Sequence, residues 1–406
     1  MLWLWYYEWE SKVIMALAFH REGTMLRTSL TVAAVLLLCA SCAFGVVWIV
    51  DDAGGGDFWT IQEAVLTAAE SDLIEVRPGI YTGPLNRNID FGGKNLTVYS
   101  SDGPEVTIID CENLARAFYF HSAEWITSVV EGLTITRGYA DEGAGIYCTE
   151  FSSCTIRNCI ITDCHATLGG MFGGGGVCCR WESSTRMYDC TLRGNTSSMF
   201  GGGAVFMDGA EPIIEGCVFE DNETAISGGG LYVYYNADAT ITTCTFAGNT
   251  SAYHGGGILI SQADADIQDC TFYGNTAAGL GGGIHAYESS PLIARTIVSH
   301  SIDGEGITCS GVAVPSYPSI YNCDVFGNAD GDSLCGSYFD NLYVDPLYCD
   351  STAGDLSLCT DSPCLPNNNG WAVTMGGIGQ GCEECATGIA GSTEETSWGV
   401  IKAMFR

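Results

Sequence analysis

The sequence predicts an all-β chain wound into a parallel β-helix, and three observations carry that reading. One phrase recurs between Met187 and Gly283, as MYDCTLRGNT, IIEGCVFEDNET, ITTCTFAGNT and IQDCTFYGNT. Its cysteines, Cys190, Cys217, Cys244 and Cys270, recur with a period of about 27 residues, which marks stacked repeats that are each too small to bury an inner face alone. Three columns also stay almost wholly apolar over eight turns: Val130, Ile156, Met187, Ile214, Ile241, Ile267, Ile293, Ile320; then Leu133, Cys159, Cys190, Cys217, Cys244, Cys270, Thr296, Cys323; then Ile135, Ile161, Leu192, Phe219, Phe246, Phe272, Val298, Val325. The step of two between the second and third columns is strand alternation, and the step of three before it implies a bend, so neither fits a helix. Finally, Asn195, Asn222, Asn249, Asn275 and Asn328 recur five places after the cysteine position, where the chain must turn. Asn tolerates the left-handed conformation and its amide can bond neighbours.

Each coil then reads as three short strands. Glycine triplets at Gly201 to Gly203, Gly228 to Gly230, Gly255 to Gly257 and Gly281 to Gly283 precede a strand at Ala204 to Phe206, Leu231 to Val233, Ile258 to Ile260 and Ile284 to Ala286. They permit close backbone approach between rungs about 4.8 Å apart. About 11 coils of roughly 26 to 27 residues follow from the spacing.

These phrases resemble the right-handed parallel β-helix repeats of the pectin lyase-like superfamily, and in particular polymorphic outer membrane protein repeats with their GGA[ILV] and FxxN signatures. Gly202-Gly203-Ala204-Val205 matches the first; Phe219 to Asn222, Phe246 to Asn249 and Phe272 to Asn275 match the second. Most copies depart by carrying a third Gly in place of Ala. The resemblance covers roughly residues 46 to 350 and implies a right-handed coil. It speaks weakly to activity, since the superfamily holds both enzymes and adhesins.

From the N-terminus, residues 1–24 have no secretory logic and read as a mis-called start, with Met25 the true one. Residues 25–45 read as a signal peptide: Arg27 is the positive region, Leu30 to Leu38 the apolar stretch, and Ala40 to Gly45 the small residues for cleavage. Residues 46–345 are the β-helix. Within them Thr60 and Glu63 form a capping-box pattern, and Ile61, Ala64, Val65 and Ala68 share one helical face, which predicts a short N-terminal capping helix. The coil from Cys159 to Cys190 runs four longer than its neighbours, with the excess placed around MFGGGGVCCRWESS, so Arg180, Trp181 and Glu182 are expected to project. Residues 346–386 read as a Cys-rich closing coil, and 387–406 as a linker and a possible sorting tail. No membrane span is expected after signal cleavage.

A net charge of −33 with 15 basic residues makes nucleic acid and anionic membranes poor partners. Twenty-one cysteines beside a signal peptide indicate an oxidising compartment. The column cysteines are expected to be buried thiols, because adjacent rungs hold them about 4.8 Å apart where a disulfide wants Cβ atoms about 3.8 Å apart. Cys335, Cys349, Cys359, Cys364, Cys382 and Cys385 are expected to pair, in preference to a zinc site.

Three sets of residues could carry chemistry. Glu211, Asp238 and Asp264 stack six places before the column cysteine and could hold Ca²⁺; the competing reading is a solvated acidic edge. On the extended coil, Arg157, Asp163, Arg180 and Arg186, with His165 and Glu182, are candidate catalytic residues, and Trp181 could stack on a sugar. Outward Tyr232, Tyr234 and Tyr287, with Tyr235, could form a ligand-binding platform. The leading expectation is a secreted or outer-surface rod without catalysis that binds an extracellular polysaccharide or a host or neighbouring surface protein. The alternative is a polysaccharide lyase or glycoside hydrolase acting from the coil 157–193. No cofactor is required, Ca²⁺ being the one candidate.

Overall fold

A computed structural model describes residues 45–170 and 172–383. The expected start, signal peptide and tail, together with Cys385, lie outside the described residues.

The described chain is a parallel β-solenoid of about 12 turns. Four parallel sheets run along it, with 12, 10, 8 and 6 strands, named sheets 1 to 4 in that order. Sheet 1 carries the first apolar column, in register from Val130 through Ile156, Met187, Ile214, Ile241, Ile267 and Ile293 to Ile320. Sheet 2 carries the third column in the same way, from Ile135 to Val325. Its phenylalanines stack face to face: Phe246 lies 4.6 Å from Phe219 and 4.7 Å from Phe272, ring centroid to centroid. The expected bend between these columns is one residue in the left-handed region just before the cysteine position, as at Asp189, Gly216, Thr243 and Asp269.

The Asn column departs from expectation in one respect. The left-handed residue is the one before it, Gly194, Asp221, Gly248 or Gly274. The asparagines of these four turns point inward and are buried. Asn222 Nδ2 donates to Leu192 O at 2.9 Å and to Asn249 Oδ1 at 2.9 Å, while Asn222 Oδ1 accepts from Asn195 N at 3.0 Å and Asn195 Nδ2 at 3.1 Å. This is a ladder of satisfied buried amides. The glycines serve the same stacking: a Cβ on Gly203 would meet Gly230 O at 2.4 Å and Asn222 Nδ2 at 3.2 Å.

After the Asn turn comes a two-residue strand, as at Thr196–Ser197, Glu223–Thr224 and Thr250–Ser251. These strands build sheet 4, which the expectation of three strands per coil did not include. Sheet 3 follows, with strands at Phe118–Phe120, Ile146–Cys148, Val177–Cys179, Ala204–Met207, Leu231–Tyr234, Ile258–Ser261, Ile284–Tyr287 and Ile307–Ser310.

The helix Ile61–Thr67 covers the first turn, with Ile61, Ala64, Val65 and Ala68 buried as the pattern required. Its capping box differs: Thr60 Oγ1 donates to the Glu63 carboxylate at 2.7 Å, and the Ile61 N–H donates to Asn86 Oδ1 at 2.9 Å. The turn count exceeds the expected 11 because Ser337–Phe339 adds a rung beyond the last regular column. The segment after residue 346 adds no rung. It forms a three-stranded sheet laid over the outer face of sheet 2, where Tyr348, Leu358, Leu365 and Met375 pack on Ala247 and Ile297. Gly377 N donates to Thr271 Oγ1 at 3.0 Å.

The column cysteines are free and buried. Among the described residues Cys349 is joined to Cys382, within the expected set, and Cys309 to Cys335, which takes a partner from outside it. Cys359 is disulfide-bonded as well. Cys364, expected to pair, is a buried thiol, because its sulfur faces Asp324 Oδ2 at 3.4 Å. Among the described residues no helix is long and apolar enough to cross a membrane.

Candidate functional site

Strand alternation places the site. In Leu231–Tyr234, Leu231 and Val233 enter the core, which leaves Tyr232 and Tyr234 on the outside of sheet 3. Register then sets Val205 and Met207 on one side of them and Leu259, His285 and Tyr287 on the other. An outer face of a sheet is ordinarily polar, yet here it carries its own apolar cluster.

Loops that enter the strands wall this face. Phe200 stacks on Tyr232 with centroids 4.8 Å apart, and Tyr232 stacks on Tyr234 at 5.3 Å. Tyr253 stands up beside them, 58% exposed, while Tyr232 is 4% exposed. Together with Ile226, Ser261, Ser310, His254 and His285, Phe200, Tyr232 and Tyr253 enclose a hollow of about 420 Å³.

The two histidines are held neutral. Leu280 N donates to His254 Nδ1 at 3.0 Å, so the neutral ring carries its proton on Nε2. His285 uses both nitrogens, with Thr308 Oγ1 at 2.7 Å and Ser310 Oγ at 3.0 Å. Burial lowers the pKa of both, that of His285 to about 4 with a further push from His254. Among the described residues that line the hollow there is no Asp, Glu, Lys or Arg. Chemically it offers aromatic faces edged by hydroxyl and imidazole groups that neither carry charge nor gain it near neutral pH.

Of the residues expected here, Tyr232, Tyr234 and Tyr287 share this face, and Tyr235 lies at its edge, 51% exposed. Phe172, Phe200, Tyr253 and His285 were missed as members. The regular spacing that links Tyr232, Leu259 and His285 was the signal that could have found His285.

The catalytic candidates do not converge. Arg157 and Arg186 are on sheet 1, on adjacent strands, and Arg157 faces Glu131 at 3.7 Å. Arg180 follows directly on a sheet 3 strand, its side chain 15% exposed, paired with Glu142 at 2.9 Å and Asp208 at 3.6 Å. It therefore does not project, and its guanidinium lies over Phe172 and Trp181. The reason is where the insertion falls: Ala166 pairs with Ser197 across the lengthened interval, but Val177 pairs with Ala204 across the ordinary one. The four extra residues thus lie between 166 and 177, ahead of the strand. Trp181 and Glu182 form a left-handed turn after it, and Trp181 is half exposed. Asp163 sits in the left-handed turn after sheet 2, with Thr162 Oγ1 at 3.1 Å. His165 belongs to sheet 4, its Nδ1 2.6 Å from Thr196 Oγ1.

Asp238 and Asp264 are register partners on sheet 1, as expected, and Asp264 Oδ1 accepts from Ser290 N at 3.2 Å. Glu211 lies ahead of the strand Ile213–Glu215 and borders a separate hollow with Trp125, Phe151 and Arg186. Among the described residues no group of three His, Cys, Asp or Glu is gathered closely enough to hold a metal ion.

The fold defines a parallel β-helix repeat protein that carries an aromatic hollow on one of its sheets. Residues 86–261 match the model of the right handed beta helix region, and residues 269–287 match the Chlamydia polymorphic membrane protein repeat. Among solved structures the chain is similar to pectate lyase Pel9A, with 14% identity over 84% of this chain and 100% of that one at a TM-score of 0.48. It is also similar to a pectin methylesterase from carrot, with 13% identity over 74% and 88% at 0.37, and to one from Aspergillus niger, with 13% over 75% and 92% at 0.36. No curated protein matches.

Proposed function

We propose that this protein is a secreted or cell-surface rod that binds an uncharged glycan on the outer face of sheet 3. The observation that carries the reading is the hollow itself: stacked aromatic rings without a charged side chain, in a chain of net charge −33. Aromatic faces stack on the apolar faces of pyranose rings, and the Tyr hydroxyls and His254 Nε2 suit sugar hydroxyls. A polyanion would meet the long-range repulsion of the whole molecule and find no cation in the hollow. The polymorphic membrane protein repeat supports placement at a cell surface. The enzymatic alternative has less support, because Arg180 follows a strand of sheet 3, apart from Arg157 and Arg186 on sheet 1.

The test is a glycan array and a depolymerisation screen on the full chain, with Tyr232→Ala and Arg180→Ala beside the wild type. Binding of neutral oligosaccharides that Tyr232→Ala abolishes, without product formation, is the expected result. Polysaccharide cleavage that vanishes in Arg180→Ala would replace this reading with the enzyme.

A further inference from the structure

The strongest feature outside the hollow is a trio of thiols inside the coil. Cys148 ends the strand Ile146–Cys148, and Cys154 precedes the strand Thr155–Arg157, so the two bracket the loop of residues 149–153. Their sulfurs lie 3.3 Å apart, and both residues are fully buried. Cys179, the register partner of Cys148 in the next rung, is directed to Thr185 Oγ1 at 3.1 Å and also meets the Cys148 thiol. The rung cysteines of the main column each turn the sulfur to a carbonyl oxygen, as Cys190 does to Tyr188 O at 3.2 Å, besides meeting their column neighbours. Cys148 and Cys154 face each other directly at 3.3 Å.

We propose that Cys148 and Cys154 form a further disulfide, which clips the loop between sheets 3 and 1. The fold already holds Cys309–Cys335 and Cys349–Cys382, so it tolerates oxidation. Each thiol gives up one hydrogen, one sulfur–sulfur bond forms, and two electrons pass to an oxidant of the protein disulfide class, which leaves as a dithiol. The sulfurs have to close from 3.3 Å to the bonded distance of about 2.05 Å. Burial keeps the Cys154 thiol protonated and out of reach, so the bond forms as the chain folds. The clip fixes Phe151, 65% exposed, which walls the hollow shared by Trp125 and Arg186.

The two cysteines share one tryptic peptide, residues 138–157. Full-length protein is made in an oxidising compartment, denatured without reductant in the presence of an alkylating agent, and digested. The expected result is that this peptide is two hydrogens lighter and unalkylated, while the fragment carrying Cys217 and Cys244 is alkylated. In Cys154→Ser, Cys148 becomes alkylated. Alkylation of Cys148 and Cys154 to the extent of Cys217, or a link from Cys148 to Cys179, overturns the proposal.

Discussion

Sheets 1 and 3 share one stacking register and present contrasting outer faces. On sheet 1 burial alternates along Asp238–Thr242 and Asp264–Gln268, with the acidic, threonine and glutamine side chains outside. On sheet 3 every residue of Ala204–Met207 and Ile258–Ser261 is buried. The backbone cannot account for this, since both sheets repeat with the same period. The difference lies in the loops that enter sheet 3 and bring Phe172, Phe200 and Tyr253 against it. The inner columns make the rod, and the function we assign lies where the outer alternation fails.

The comparison is broken most sharply at a position that belongs to the rod alone. Asn222→Ala removes four buried hydrogen-bonding contacts and leaves partners unsatisfied, so it should cost about 4 kcal/mol in denaturant unfolding, whichever sheet is exposed outside. A loss below about 1 kcal/mol would show that the ladder is not what couples the rungs.

The closing segment over sheet 2 gives the next effect. Asp324 is fully buried, accepts from Val344 N at 3.1 Å, and has its pKa raised to about 6 by burial first and then by Asp345 and Asp332. The native state thus holds the proton more tightly than the unfolded chain. The stabilisation is complete below about pH 4 and is lost as pH rises through about 6, a difference of roughly 3 kcal/mol. Stability curves of wild type and Asp324→Asn should converge at low pH and separate above pH 6, with the variant more stable.

Smaller effects separate the groove from the rod. Tyr287→Ala, at the open end of the hollow, should weaken glycan affinity about tenfold and leave unfolding nearly unchanged. The smallest expected change is in pH dependence. His285 has its pKa lowered to about 4 and that of His254 is lowered from its ordinary value by burial, so both stay neutral and affinity should be flat from pH 8 to pH 7. A rise or fall across that range, read by calorimetry, would mean that a charged group takes part.

The inner columns were readable because burial repeats a residue type at a fixed interval, and Cys190 to Cys270 kept that interval without interruption. The Asn position was readable too, but its conformation was not: Gly194 and Gly248 before it absorb the left-handed turn, so the amide is free to point inward. The closing segment escaped because its contacts are distant in sequence, as between Gly377 and Thr271. The site was half readable. Tyr232, Tyr234 and Tyr287 stood out by alternation, whereas Phe172 and Phe200 reach the face through loops, whose direction no periodicity records. Arg180 misled, because the four-residue insertion falls before its strand and leaves it in place beside Glu142.

The measurement that bears most directly on the central claim is a calorimetric titration of the full chain with a neutral hexose oligosaccharide and with its uronic acid counterpart, in wild type and Tyr232→Ala. The account predicts that the neutral sugar binds, that its affinity does not depend on salt, and that Tyr232→Ala removes it. Preferential binding of the uronate, or neutral-sugar binding untouched by Tyr232→Ala, would contradict it.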